Sequence, residues 1–270
     1  GTDPADDPIV LATPDQPEWG FEPEVSDDGR LLVVCVWRGT DPEHGVWVAD
    51  LAAAVGDPGT ARPRELLAQG IAHYEHVGSV DGELYLLTDR DAPRGQVIAV
   101  DARDATRVRE VVPQGEDAIE RVVLVGDRLA LISLHDATHR VTLYERDGRR
   151  VADATLPGLG RIEDAAGERE DPDLYVTFVR FAAPPAVLAI AAADGAVRAV
   201  RPAPLPWDPE AFVTELVFVA SDDGTRVPLF LTRRRDLAPN GDVPTILHGY
   251  GGVQGGKGTG VKPQSPPRVA

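Results

Sequence analysis

The residues best suited to chemistry stand near the C-terminal end of the chain, in the run His248-Gly249-Tyr250-Gly251-Gly252. The apolar segment 243–247 precedes this run and predicts a short strand that enters it directly. A glycine-rich turn after a strand exposes backbone N–H groups, and a polar side chain beside it adds another donor. Such donors stabilise the oxyanion that forms when a nucleophile attacks a carbonyl group. A glycine loop without chemistry is the alternative, and the local sequence leaves both interpretations open.

An acyl-transfer enzyme that uses such a turn also needs a nucleophile. The motif Gly-x-Ser-x-Gly places a serine on a tight strand-to-helix elbow. None of the serines has a glycine two positions before it, and they are Ser26, Ser79, Ser133, Ser221 and Ser265. In enzymes built on this elbow the acid and the histidine follow the serine along the chain. We therefore expect nucleophile, acid and base all to be absent from this sequence.

Other kinds of site are not indicated by the sequence. The histidines that stand close together form two pairs, His73 with His76 and His135 with His139. Neither pair has a third acidic ligand at metal-binding spacing, so we expect no metal. A phosphate-binding loop and a dinucleotide fingerprint are also missing, and we expect no cofactor. The aspartate-rich segments 26–29 and 221–224 lack the twelve-residue calcium-loop layout and predict hairpin turns instead.

Composition narrows the partners and the compartment. The formal net charge is −17, from 27 basic and 44 acidic residues, which disfavours nucleic acid and anionic membranes as partners. No run of about 18 apolar residues is present, so we expect no membrane span. The single cysteine, Cys35, lies in the apolar run 31–37 and is predicted to be a small buried side chain rather than a catalytic thiol. Without an intrachain disulfide, the default compartment is the reducing cytoplasm.

The elements that must position these residues are predicted from an internal repeat. Four segments share a turn, an apolar strand, a polar loop and a second strand. Equivalent leucines recur at intervals of about 45 to 53 residues, and they are Leu31, Leu84, Leu129 and Leu174. This period is typical of β-propeller blades, whereas a β-sandwich, the alternative, does not explain it. The segment 9–11 is a candidate outer strand of a preceding blade.

The pattern changes after the proline-rich stretch that ends at Trp207. The segments 212–220 and 226–232 predict a hairpin, and the segment 253–270 has no period and predicts a disordered tail. We therefore predict three regions: a partial β-propeller over 1–207, the start of a second domain over 208–252, and the tail over 253–270.

Two stretches resemble the prolyl oligopeptidase family of serine peptidases. Segment 221–231 and segment 244–252, which reads Pro-Thr-Ile-Leu-His-Gly-Tyr-Gly-Gly, resemble the start of its peptidase domain, and segment 1–51 resembles middle blades of its propeller. The resemblance implies a mainly β chain: about four blades of a seven-bladed ring, followed by the first strands of an α/β-hydrolase domain. It implies a cytosolic endopeptidase that cleaves short peptides after proline, with the propeller gating access. By resemblance, Tyr250 completes the oxyanion hole, whereas His248 receives no role.

The departures from this family suggest a piece of a longer protein. The chain begins at Gly1, contains no methionine and loses its pattern after Gly252. We therefore expect truncation at both ends, for which a shifted reading frame or a broken gene is one explanation, and we expect this segment alone to be inactive. Two alternatives stay open: a propeller that serves only as a binding scaffold, and a related oligopeptidase of different specificity.

Overall fold

The computed structural model describes residues 3, 7–54, 58–200 and 205–249. This part of the chain consists almost wholly of antiparallel β-strands, with a few one-turn 3₁₀ helices. None of its helical segments has the length and apolar character needed to cross a membrane. The chain divides into two compact units, residues 1–124 with 145–149 and residues 125–144 with 150–270.

The first unit contains two four-stranded sheets whose strands pair in chain order. The strands of the first sheet are β1 (Trp19–Val25), β2 (Leu31–Arg38), β3 (His44–Asp50) and β4 (Arg64–Ala72). Those of the second sheet are β5 (Tyr74–Val80), β6 (Glu83–Thr88), β7 (Gln96–Asp101) and β8 (Asp104–Val112).

The rest of the described residues form two further sheets of the same kind and one hairpin. The third sheet has the order β12-β11-β10-β9, with β9 (Ala118–Val125), β10 (Arg128–His135), β11 (Thr138–Glu145) and β12 (Arg150–Ala154). The fourth sheet, within the second unit, has β13 (Arg161–Ala166), β14 (Asp173–Arg180), β15 (Ala183–Ala191) and β16 (Val197–Ala199). The hairpin, in the same unit, consists of β17 (Phe212–Ala220) and β18 (Arg226–Arg234).

The repeated leucines mark the second strand of each sheet, as the sequence predicts. Leu84, Leu129 and Leu174 are fully buried, and Leu31 packs against a buried cluster that the first two sheets share. The strands that bear them are rich in apolar residues because the inner strands of these sheets are largely covered on both faces. Four separate four-stranded sheets confirm the blade-like repeat. The alternative fold, a β-sandwich of two packed sheets, is therefore wrong for this part of the chain.

The predicted aspartate–glycine turns are also found. Between β5 and β6, Asp81 has φ 54° and Gly82 has φ 84°, the pair of positive angles that a two-residue type I′ turn requires. Segments 26–29 and 221–224 likewise connect paired strands, β1 to β2 and β17 to β18. The prediction of hairpin turns at these two segments is therefore confirmed.

Two predicted strands are wrong. Segment 9–11 forms no strand, and Ile9 is 76% exposed. Segment 243–247 is also irregular, with Ile246 81% and Leu247 83% exposed. An apolar run becomes a strand only when a neighbouring strand accepts its backbone hydrogen bonds, and among the described residues no strand pairs with either segment.

Candidate functional site

The hairpin β17–β18 carries the chain toward the predicted oxyanion turn. Its two strands pair residue for residue without a bulge. The hydroxyl oxygens of Thr214 and Thr232 lie 2.9 Å apart across the pair, and the Arg226 guanidinium lies 4.2 Å above the centre of the Phe218 ring. These cross-strand contacts fix the register of the two strands and therefore the position at which β18 ends.

The tip of the hairpin is held by the aspartate-rich turn. The Ser221 N–H donates to the Thr225 carbonyl at 2.9 Å, and the Thr225 N–H donates to the Asp223 carboxylate at 2.9 Å. That backbone donor lowers the pKa of Asp223 below its ordinary value, so the carboxylate stays ionised and keeps its role as acceptor. Both aspartate-rich turns use this local side-chain bond, which accounts for their composition.

The segment from Asn240 to Gly249, which follows β18, is exposed and forms mainly local hydrogen bonds. The Asp242 N–H donates to the Asn240 side chain at 3.0 Å, a local turn contact. Beyond this turn the backbone runs exposed as far as Gly249, where an added Cβ would meet nothing within 4 Å. Tyr250 lies outside the described residues, so its assignment to an oxyanion hole stays a prediction.

An acid, a histidine and a serine are hydrogen-bonded to one another elsewhere, in the first unit. His76 Nδ1 lies 2.8 Å from Glu24 Oε2, and His76 Nε2 lies 2.9 Å from Ser79 Oγ. Because an ionised carboxylate only accepts, Nδ1–H donates to Glu24, and neutral Nε2 then accepts the serine proton. This is the connectivity that activates a serine nucleophile.

The burial of His76 and Ser79 prevents this set from acting on a substrate. The His76 side chain is 2% exposed and Ser79 is 7% exposed, so a substrate carbonyl has no approach to the serine. Glu24 belongs to β1 and the other two residues belong to β5, so the bonds join the first strands of two sheets within one unit. The hydrogen bond from His76 also lowers the pKa of Glu24, against the opposing effect of burial. We assign the set a structural role.

The single cysteine is poorly suited to nucleophilic chemistry. Cys35 is a free, half-buried thiol on β2. Removal from solvent raises its pKa to about 11, the largest of the influences on it. The thiol is therefore protonated at neutral pH, in line with the prediction of a packing residue.

The paired histidines also have packing roles. His73 Nδ1 lies 3.2 Å from the Pro42 carbonyl oxygen, and its ring centre lies 4.7 Å from that of His44. His139 is buried, and its Nδ1 accepts a hydrogen bond from the Ile162 N–H at 2.9 Å. Within the described ranges, no three His, Cys, Asp or Glu side chains gather as a metal site would require.

Comparison with known proteins identifies these sheets. Residues 1–203 match the family model "Prolyl oligopeptidase, N-terminal beta-propeller domain". The prolyl endopeptidase of Elizabethkingia meningoseptica is 28% identical over 255 residues, which cover 93% of this chain and 35% of the relative. Prolyl oligopeptidase A of Amanita bisporigera is 26% identical over 267 residues, covering 93% and 34%. The chain thus spans about a third of the length of these relatives.

Solved structures agree with this match. A structure from an analysis of two prolyl endopeptidases superposes with a TM-score of 0.78 at 34% identity, covering 88% of this chain and 34% of that chain. Apo prolyl oligopeptidase B of Galerina marginata superposes with the same TM-score at 20% identity, covering 87% and 34%, and at that identity the likeness shows the fold alone. By the match of its propeller sheets, this chain belongs to the prolyl oligopeptidase family.

Proposed function

We propose that this chain is the propeller portion and the first peptidase strands of a serine-type endopeptidase that hydrolyses short peptides after proline. The observation that carries the proposal is the order of elements. Sheets that match the family's propeller are followed by the hairpin β17–β18 and then by the run that contains Tyr250. In this proposal residues 208–252 begin an α/β-hydrolase domain, and the propeller gates access to it and excludes large folded substrates.

Within this proposal Tyr250 donates its phenol O–H to the oxyanion of the tetrahedral intermediate. The nucleophile, the acid and the base come from outside this chain, because no serine here stands in an elbow motif. The buried Glu24–His76–Ser79 set does not replace them.

Substrate and compartment follow from the same proposal. The substrates are short proline-containing peptides, and neither nucleic acid nor a membrane is a partner of a chain with a net charge of −17. We place the enzyme in the cytoplasm, since its one cysteine is a free thiol that needs no oxidising compartment. A related oligopeptidase of different specificity is the nearest alternative, because the residues that select the substrate lie outside this chain.

The test replaces the aligned third of the Elizabethkingia meningoseptica prolyl endopeptidase with residues 1–252 of this chain. We expect the chimaera to hydrolyse a Gly-Pro-linked chromogenic substrate. Tyr250→Phe removes one oxyanion donor and should lower kcat by about 10²–10³-fold with little change in KM. Tyr175→Phe, on β14 and 39% exposed, is the matched control and should leave kcat unchanged.

Each outcome separates the competing interpretations. A kcat that survives Tyr250→Phe would refute the oxyanion role. A folded chimaera that binds the peptide without cleaving it would favour the binding scaffold. The 270-residue chain alone should not turn over the substrate, and serine-dependent hydrolysis by it would overturn the assignment of the triad to residues outside the chain.

A further inference from the structure

A cleft of about 350 Å³ lies within the second unit, between the fourth sheet and the base of the hairpin. One wall is formed by segment 157–159 and by the turn that joins β14 to β15. The other wall is formed by the 3₁₀ turn Pro209–Ala211 and the first residues of β17. The volume is at the lower end of the range of small-molecule sites.

Two arginines that line the cleft donate hydrogen bonds to backbone carbonyls. Arg180 Nη1 donates to the Pro157 carbonyl at 3.0 Å, while Arg235 donates from Nε to the Glu210 carbonyl at 3.1 Å and from Nη2 to the Phe212 carbonyl at 3.4 Å. Backbone carbonyls orient a guanidinium without cancelling its charge. Within the described chain, Arg235 forms no salt bridge. The cleft therefore holds an arginine charge that has no carboxylate of its own.

A carboxylate already shows where an anion can lie in the cleft. Glu210 Oε1 is 3.6 Å from Arg180 Nη1, and the Glu210 side chain is 71% exposed while that of Arg180 is 30% exposed. An ion pair this long and this exposed contributes little free energy, so a competing anion can displace the Glu210 side chain at small cost. Two guanidinium groups against one carboxylate leave a net positive charge here, on a chain whose total charge is −17.

The remaining lining is apolar and indicates what the anion is attached to. Leu159 and Phe212 line the cleft beside the arginines, and Phe181, next to Arg180, packs on Phe230 of the hairpin with ring centres 4.8 Å apart. An inorganic anion would leave these apolar walls facing water. A ligand with an apolar body and a terminal carboxylate satisfies both parts of the lining.

We propose that this cleft binds the C-terminal carboxylate of a short peptide whose last residues are apolar. The carboxylate takes the place of the Glu210 side chain beside Arg180 and reaches the unpaired edge of Arg235, while the apolar residues lie against Leu159 and Phe212. Planar arginine is suited to this contact, since its N–H groups match a carboxylate in pairs. None of the residues that line the cleft belongs to the run 248–252, and binding requires no hydrolysis, so the proposal does not depend on the proposed function.

The experiment is isothermal titration calorimetry of the 270-residue chain with N-acetyl-Phe-Pro, which has a free carboxylate. The matched ligand is its C-terminal amide, which has the same apolar body without the charge. We expect the acid to bind on the order of tenfold more tightly than the amide, because a charged hydrogen-bonded pair is lost in the amide. Equal affinity for the two ligands would overturn the proposal.

Two substitutions test the site in opposite directions. Arg235→Gln should lower the affinity for the acid to about that of the amide, whereas Glu210→Gln, which removes the built-in competitor, should raise it several-fold. A merely structural role for these residues does not predict tighter binding by Glu210→Gln. If the acid binds both variants as it binds the original chain, the cleft is not the site. A competition experiment with inorganic phosphate completes the test. If phosphate displaces the dipeptide at equal concentration, the cleft is a general anion site and the proposal of a peptide ligand is refuted.

Discussion

At the scale of single residues, the contact between Glu24 and His76 shows how a polar pair holds two sheets together. The carboxylate is 56% exposed while the imidazole is 2% exposed, so the histidine depends on Glu24 and Ser79 for the hydrogen bonds that water would otherwise supply. The two residues are 52 positions apart and belong to different sheets. No local pattern in the sequence predicts their meeting.

This contact gives a prediction about stability and pH. Glu24→Gln should lower the free energy of unfolding at pH 7 by about 0.5–1 kcal/mol, a modest value because the carboxylate is more than half exposed. The pKa of Glu24 is lower in the folded chain than its ordinary value of 4.5, so its contribution is complete above pH 4.5 and is lost as the pH falls through the folded pKa. Urea unfolding of both proteins at pH 7 and at pH 3.5 measures the difference.

The neighbouring Glu22→Gln serves as the control for this prediction. Glu22 stands two residues earlier on β1 and is exposed. Its substitution removes the same charge without touching His76, so the unfolding free energy should stay within about 0.5 kcal/mol at both pH values. A stability loss by Glu24→Gln that is as large at pH 3.5 as at pH 7 would mean that the ionised carboxylate is not the group that matters.

At the scale of elements, the turns decide how closely neighbouring strands approach. The turn between β11 and β12 places Gly148 at φ 92°, where an added Cβ would lie 2.0 Å from the Val111 carbonyl oxygen at the end of β8. Gly158, after β12, has a similar φ of 98° but open space around it. The two glycines therefore share a backbone conformation and differ in surroundings.

Substitution by alanine separates these two requirements. Gly158→Ala should cost about 1 kcal/mol, the strain of a left-handed conformation alone. Gly148→Ala should cost more than about 3 kcal/mol, because the methyl group also forces β8 and the turn apart. Thermal unfolding monitored by circular dichroism compares the two variants with the original chain. Equal losses would show that the close contact relaxes freely and that conformation alone selects glycine at both turns.

At the scale of the whole molecule, the sequence predicts the central strands well and the contacts between elements poorly. The second and third strands of each sheet are recognised because they are rich in buried apolar residues, as in β6, where the consecutive residues Leu84 and Tyr85 point to opposite faces and are both fully buried. Outer strands such as β8 are mostly polar and exposed, so periodicity gives no signal for them. Segment 243–247 has the composition of a strand but lacks a partner among the described residues, which sequence alone does not reveal.

The candidate site also has parts that the sequence predicts and parts that only the structure shows. The glycine-rich run and the absence of an elbow serine are properties of consecutive residues and can be predicted from the sequence. The cleft with Arg180 and Arg235 arises from a sheet turn and a hairpin base that are distant along the chain, so it emerges only from the structure.

The final prediction concerns how unevenly stability is distributed. The hairpin β17–β18 has two strands only, and its outer half exposes apolar side chains, with Phe218 37% and Val219 47% exposed. An isolated hairpin is marginally stable, whereas β6 lies between two strands in a buried sheet. We expect amide hydrogen exchange in 216–220 to be at least about tenfold faster than in β6 at pH 7, as measured by mass spectrometry of peptides from the folded 270-residue chain. Comparable protection of the two segments would require something to cover the outer half of the hairpin. In the chimaera described above, where the aligned remainder of the peptidase is present, protection of 216–220 should rise while that of β6 stays the same.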